Sequence, residues 1–510
     1  MPLGFRKKSY APIAGMERVI SRPGEESAGL KKRFHPIGPA AIVTVLCGLT
    51  FLFLMGLRLG LFHRETPLLL PVSSPTEGKE SWMTISQKDR KIGYSHRRIS
   101  PHDDGYSLSE STHMRINTMG MVQDIHVRTT GELNADMSLV AFSFDLQSSL
   151  FHFKLHGRQA DGMLTVFSGE HEINIPVEGG LFLTSSALDA ALSTDMKPND
   201  VRRFLIFDPS TMGQRPVQIT MEGNEVLTIM GRTIESRRMS IEFMGTSQTA
   251  WIAEDGTVLR EEGLLGLRLE QATEADALDG LALTSSTDLV EMVSIYPEGR
   301  MDNPLTLARL TLKITGIPEH NALDGGRQSY KDGILVVAKE TVPAPGLAGA
   351  DINRFVEPTA FIQSDHPDIG RIVSEIVSPE DSPGVKADKI MNWIYANIDK
   401  RPVLSVPNAL ETLKNRVGDC NEHAVLMAAM ARAAGIPAQI EAGLVYMRGR
   451  FYYHAWNAIY LGRWITVDAL LGQMPADVTH LRIVRGEPDK QIDLIGIIGK
   501  VGIEILTREE

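Results

Sequence analysis

Cysteine is almost missing from this chain: Cys47 and Cys420 are the only two in 510 residues. Cys47 lies in an apolar run, so Cys420 is the one thiol of the long remainder, and no disulfide can close within that remainder. Basic residues are scarce where a nucleic acid would need them. Residues 1–39 hold eight Lys/Arg against three Glu, and the rest carries more than the whole of the net charge of −11. Phosphate contacts need clustered Lys and Arg, so nucleic-acid binding is excluded. No internal repeat is visible, and no calcium-loop pattern. Charged residues at 23% and hydrophobic ones at 43% place the chain in the globular class, with room for two or three domains.

One apolar run is long enough to matter to a membrane. Ala40 to Leu57 has no charge and continues past Arg58 to Phe62, which predicts one transmembrane helix over 40–62. The basic stretch before it is too long for a cleaved signal, so a signal anchor is expected. By the positive-inside rule the 1–39 tail, rich in Pro, Gly, Ser and charge, is a disordered cytoplasmic segment. Everything after residue 64 is then extracytoplasmic, periplasmic behind an inner membrane. Residues 63–80, with Pro67, Pro71 and Pro75, read as a linker.

From Ser81 to Ile295 short alternating runs are separated by turn residues, which predicts an antiparallel β-rich domain over 81–299. It resembles curved half-barrel sheets. Trp82–Ser86, Gly93–His96, Ile125–Thr129, Ser138–Phe144, Leu150–Leu155, Met163–Phe167, Ser240–Met244 and Gln248–Ile252 are the strand candidates, and Asp255-Gly256 is a hairpin turn. Leu181–Leu192 and Asp200–Phe207 break the pattern, the first as a short helix. His152 and His156, near His171, share a strand face but stand about 13 Å apart at the usual rise, too far for one ion. Asp103-Asp104-Gly105 is a turn.

Residues 300–510 mix strands (Leu305–Ile314, Gly333–Ala338) with helices at Asp368–Val377, Val385–Ile398 and Ala409–Asn415. Ile390, Trp393, Ile394 and Ile398 form the core stripe of the second helix. Gly418-Asp419 is a helix start, and the helix runs on to Gly435-Ile436-Pro437. Cys420 then sits in its first turn, where free N–H groups and the helix dipole favour thiolate over thiol. Strands follow at Gln439–Met447, Phe451–Tyr460 and Trp464–Asp468. A three-residue loop, Leu461-Gly462-Arg463, sets Tyr460 opposite Trp464 and brings Asp468 diagonal to His454 on one face. A two-residue loop would separate them. A lone Cys is as a rule a small buried hydrophobe, but here the surrounding motifs reverse that.

Gly-Asp-Cys420-x-Glu-His-Ala, Arg432-Ala-Ala-Gly-Ile-Pro437, His454-Ala-Trp456 and Trp464-x-x-Val-Asp468 together resemble the bacterial transglutaminase-like superfamily, relatives of papain-type cysteine peptidases. Gly472-Gln473-Met-Pro-Ala-Asp477-Val-Thr-His480 is similar to that family's continuation. The resemblance covers roughly 300–500 and is strongest over 405–485; it implies a transglutaminase-like domain over 300–510, with its core at 366–485, and an overall α+β class. It implies Cys420 as nucleophile, His454 as general base and then acid, and Asp468 as the group that orients the imidazole. Asp468-Ala469-Leu470 departs from the family's Asp-Pro-Thr. The backbone N–H of Cys420 is one oxyanion donor, and Trp456 either shields the pair or packs in the core.

The expected function is a membrane-anchored cysteine peptidase or amidase acting on envelope peptides or proteins through a thioester, with no cofactor and no metal ligands. Protein cross-linking is the alternative outcome of the same chemistry. The rival class is a non-catalytic envelope scaffold on a transglutaminase-like fold.

Overall fold

Among the described residues, alternation of buried and exposed side chains from residue 79 on builds a fifteen-stranded sheet. The structure, a computed structural model, describes residues 78–169, 171–243, 245–280, 286–318, 322–343 and 352–510. The predicted tail, the apolar run 40–62 and nearly all of the linker lie outside them; among the described residues no helix is long and apolar enough to cross a membrane. The first eight strands are β1 (Lys79–Gln87), β2 (Arg90–His102), β3 (Gly105–Thr118), β4 (Met121–Asn134), β5 (Leu139–Ser148), β6 (His152–Ala160), β7 (Met163–Ser168) and β8 (His171–Pro176). The other seven are β9 (Leu181–Leu183), β10 (Val201–Asp208), β11 (Gly213–Ile229), β12 (Arg232–Phe243), β13 (Thr246–Ala253), β14 (Val258–Glu262) and β15 (Leu267–Ala272). The first and last, β1 and β15, pair in the middle, and the strands run outward in sequence order on either side.

Strand β6 shows why the pattern folds this way. Phe153, Leu155 and Gly157 face the core while His152, Lys154 and His156 face water. His152 Nε2 lies 2.9 Å from Asp145 Oδ1, and the His156 ring stacks on Phe167. Gly157 has no substitute, because a Cβ there would stand 2.6 Å from the Phe142 ring and 2.8 Å from the Thr165 carbonyl oxygen.

Two expectations in this region are corrected. Leu181–Leu192 is not all helix: Leu181–Leu183 pairs in parallel with Leu205–Phe207, and helix α1 (Thr184–Leu192) begins only after it. Asp200–Phe207 does not break the sheet but supplies β10. All three residues of β9 are buried, and Phe182 meets Phe204 edge-on at 5.0 Å, so burial overrides the helical spacing.

The second half starts with a small sheet of β16 (Arg309–Thr315), β17 (Gln328–Lys331) and β18 (Ile334–Ala338), completed at the far end of the chain by β25 (Gly502–Glu509). Strand β16 starts four residues later than expected, because Pro304–Thr306 is a 3-10 turn. Four helices follow: α2 (Pro367–Ile376), α3 (Pro383–Asn397), α4 (Ala409–Asn415) and α5 (Cys420–Ala433). Ser382 and Asn408 cap α3 and α4, and Pro opens α2 and α3. Between them Asp399–Lys400 (β19) pairs in parallel with Val417–Gly418 (β20). A four-stranded antiparallel sheet closes this half: β21 (Ala438–Met447), β22 (Arg450–Tyr460), β23 (Trp464–Val467) and β24 (Leu481–Arg485), in the order β23-β22-β21-β24.

Helix α5 is buried on every side from Glu422 to Arg432, which explains its nearly uninterrupted apolar sequence. Ile390, Ile394 and Ile398 of the expected stripe are fully buried, whereas Trp393 is half-buried under the Arg416 guanidinium, 4.6 Å from its ring centre. One continuous core joins Phe142, Phe207 and Ile252 of the large sheet to Ile390, Leu426 and Ile459 of the second half.

Candidate functional site

The start of α5 is set by the chain before it. Asp419 caps the helix: its Oδ1 accepts from the N–H of Asn421 at 3.0 Å, and Glu422 Oε2 accepts from the N–H of Asp419 at 3.0 Å. Gly418 permits this, since a Cβ there would stand 2.3 Å from the Glu422 Cβ. The large sheet also reaches this segment. Phe151, in the β5–β6 turn, packs in one apolar cluster with Val403 and Val417, and Asn415 Nδ2 donates to the Leu150 carbonyl at 3.1 Å.

Cys420 is therefore the first residue of α5, half-buried, and the backbone N–H of Ala455 points at its sulfur. Its ionisation differs from the sequence expectation. Burial pushes the thiol well up, and the carboxylates of Asp419, Glu422 and Asp468 add to the rise; the Ala455 N–H works the other way. The physical reason lies in the cap itself. The Asp419 carboxylate that starts the helix sits beside the sulfur and opposes the helix dipole, while burial and that same Asp419 push the Glu422 carboxyl well up; the resting group is a thiol.

His454 and Asp468 meet as the hairpin geometry predicts. Tyr460 pairs with Trp464 across the three-residue loop, and His454 Nε2 lies 2.7 Å from Asp468 Oδ2. Asp468 is held by its surroundings. Its backbone exchanges two hydrogen bonds with Gln473, and its Oδ1 accepts from the N–H of Leu471 at 2.9 Å. Ala469, next after it, is buried in the core. Asn457, fully buried, donates from Nδ2 to the Ala424 carbonyl at 2.9 Å and so ties β22 to α5.

A fourth residue, to which the sequence assigned no role, completes the network. His480 Nε2 lies 2.9 Å from the same Asp468 Oδ2, and its Nδ1 lies 3.3 Å from Asp477 Oδ1. Thr479 donates from its backbone N–H and its hydroxyl to that Asp477 oxygen. Burial alone would raise the Asp468 carboxyl, but His454 and His480 outweigh it and hold it far below the usual range. Asp477 is depressed in the same way by His480 and Thr479 against its burial. Burial lowers His480, yet its bonds to the two carboxylates prevail and keep it above its ordinary value.

These states fix the protons. An ionised carboxylate only accepts, so both Nε2 atoms carry hydrogen, His480 is the cation between two anions, and the neutral form of His454 keeps its lone pair on Nδ1. Trp456 is 1% exposed, donates to Glu441 Oε2 at 3.2 Å and meets His480 edge-on at 5.2 Å, which makes it a core residue that walls the network.

Of the three predicted residues, the structure bonds His454 to Asp468. It places the Cys420 sulfur against Ala455, next in sequence to His454, with no sulfur–imidazole hydrogen bond among the described residues. The donor atoms of His454, Asp468 and His480 also lie within 4.8 Å of one another, a spacing that a metal ion could use. Here hydrogen bonds account for the group, because both imidazoles already donate to one carboxylate oxygen.

Residues 370–469 match the model of the Transglutaminase-like superfamily, a span that holds Cys420, His454 and Asp468 but ends before His480. No curated protein matches the chain. Among solved structures, the chain is similar to a β-barrel-like protein of a domain family of unknown function from Brucella abortus, at 11% identity and a TM-score of 0.33, over 39% of this chain and 98% of that one. A candidate cysteine protease from Cytophaga hutchinsonii aligns at 21% identity and a TM-score of 0.27, over 39% of this chain and 81% of that one. A protein of another family of unknown function, from Pseudomonas aeruginosa, aligns at 14% identity and 0.23, over 38% and 95%. At these scores the three likenesses carry no argument about function.

Proposed function

We propose that Cys420, His454 and Asp468 act as a nucleophile, base and orienting group in acyl transfer from peptide or carboxamide bonds, with hydrolysis as the main outcome. The observation that carries this reading is the 2.7 Å bond from His454 Nε2 to Asp468, which leaves Nδ1 as the basic nitrogen. As the sulfur attacks the carbonyl carbon, its proton passes to Nδ1, and the Asp468 carboxylate stabilises the imidazolium that forms. Asp419 occupies the N–H groups of Asn421, Glu422 and His423, so that of Cys420 is left for the developing oxyanion. The imidazolium then protonates the departing amine. Water, deprotonated by Nδ1, attacks the thioester, and the acid leaves as the thiol reforms.

The raised thiol fits this scheme, since a sulfur surrounded by carboxylates needs a base at the moment of attack. The same observation also favours the rival reading, a scaffold with an inert thiol. Anchoring through 40–62, with the catalytic half on the periplasmic side, is part of the proposal and makes envelope peptides the substrate class.

The two readings separate on one experiment. Intact-mass analysis after rapid acid quench, with envelope-type peptide amides, is expected to show an acyl adduct on Cys420 that hydroxylamine releases and that Cys420→Ala abolishes. Absence of any adduct or turnover across the panel would leave the scaffold.

A further inference from the structure

A separate cavity of about 320 Å³ lies on the inner face of the large sheet, where α1 covers strands on both sides of the β1–β15 seam. Met83, Val217, Ile219, Ile241, Phe243 and Leu269 give it apolar walls. Apart from Glu80, which pairs with Arg98, and several hydroxyl and amide groups, its polar lining holds four charged side chains that face one another. Arg97 on β2 stands directly across from Glu110 on β3 and donates from Nη2 to Asp189 of α1. Glu261 enters from β14.

The charges in this lining do not balance. Among the described residues Arg97 faces three carboxylates and is paired with only Asp189, so Glu110 and Glu261 are left in excess. Lys79 also lines the cavity, but it is exposed and its Nζ donates to the Asp255 carbonyl. At the same time the buried Nε–H of Arg97 has no acceptor among the described residues. A small apolar space with two unmatched carboxylates and one unused donor has the form of a ligand site rather than of a core.

We propose that this cavity binds the amino-terminal end of a peptide: the ammonium group against Glu110 and Glu261, the first carbonyl oxygen on Arg97 Nε, and an aliphatic side chain on the apolar walls. Each unmatched group then gains a partner of the chemistry it lacks. The inference does not depend on the acyl-transfer reading, because none of these residues belongs to the Cys420 site. Burial, with the Glu110 charge beside it, pushes Glu261 up to about 7 in the free protein, Arg97 pulling it down and Asp189 raising it further. Binding an ammonium there would expel that proton.

Titration calorimetry on the full chain tests the site with leucyl-leucine amide and its N-acetyl form. The free amine is expected to bind saturably and at least about ten-fold tighter than the acetylated probe, as a site built for a charged donor requires. In buffers of different ionisation enthalpy, binding should release a proton at pH 6.5, where Glu261 is largely protonated, and take one up at pH 9, where the free peptide amine is largely neutral and must be protonated to bind. Glu110→Gln with Glu261→Gln, which keeps shape, should weaken the amine at least ten-fold while leaving Cys420 reactivity unchanged. Equal affinity of the two probes, no saturable binding of either, no proton release at pH 6.5, or an unaffected double variant would each overturn the proposal.

Discussion

Replacing His480 by leucine removes a cation that two buried carboxylates share, and the cost follows from the structure. His480 is fully buried, with Asp468 at 2.9 Å and Asp477 at 3.3 Å. Breaking a buried ion pair by deleting one partner costs ~3–5 kcal/mol. Asp468 keeps His454 and the Leu471 N–H, and Asp477 keeps Thr479, so the lower end, ~3 kcal/mol, is expected near pH 6. The pH dependence has a definite sign. A histidine held above its ordinary value stabilises the fold in full below about 6.5, and loses that contribution as pH rises through its folded-state value. Urea unfolding followed by Trp fluorescence at pH 6 and pH 9 should show the wild-type advantage shrinking to ~1 kcal/mol at the higher pH, where a neutral imidazole keeps one donated bond. A difference that is the same at both pH values, or below about 1 kcal/mol at pH 6, would refute the assignment of His480 as the buried cation.

Other perturbations probe the supports of the site. Gly418→Ala places a Cβ against Glu422 and should break the helix cap at a cost of ~2 kcal/mol, read as a lower melting temperature together with slower Cys420 alkylation. Phe151→Ala empties the cluster with Val403 and Val417 and should cost ~3 kcal/mol, with hydrogen exchange rising in 400–418 rather than only in the β5–β6 turn. Glu261→Gln should stabilise the protein by ~2 kcal/mol at pH 8.5, where a carboxyl raised to about 7 is ionised at a cost, and by almost nothing at pH 4. Denaturation midpoints at those two pH values check it.

What could be read in advance was local. The Gly418-Asp419 cap, the helix end at Gly435 and the three-residue loop after Tyr460 are all written in short stretches, and the loop length alone put Asp468 on the face of His454. The state of the thiol is not legible in the helix start alone, because burial and the same Asp419 and Glu422 that cap the helix raise the sulfur against the dipole. His480 was missed because it reaches Asp468 only after the chain doubles back through Gln473, on a stretch with no periodic signal. Strand β9 is hidden because a three-residue run that pairs in parallel leaves no alternation to read, and β10, which also pairs antiparallel with β11, buries Ile206 and Phe207 in succession. The pairing of β1 with β15, the first and last strands of the large sheet in chain order, is equally silent in sequence.

The account rests on His454 Nδ1 taking the proton of Cys420, and the rate of Cys420 carboxamidomethylation by iodoacetamide against pH measures that transfer most directly. Wild-type protein is expected to label at neutral pH, while His454→Gln, left with carboxylates around the sulfur and no base, labels only above the ordinary thiol range of about 8.5. Superimposable profiles for the two proteins would contradict it.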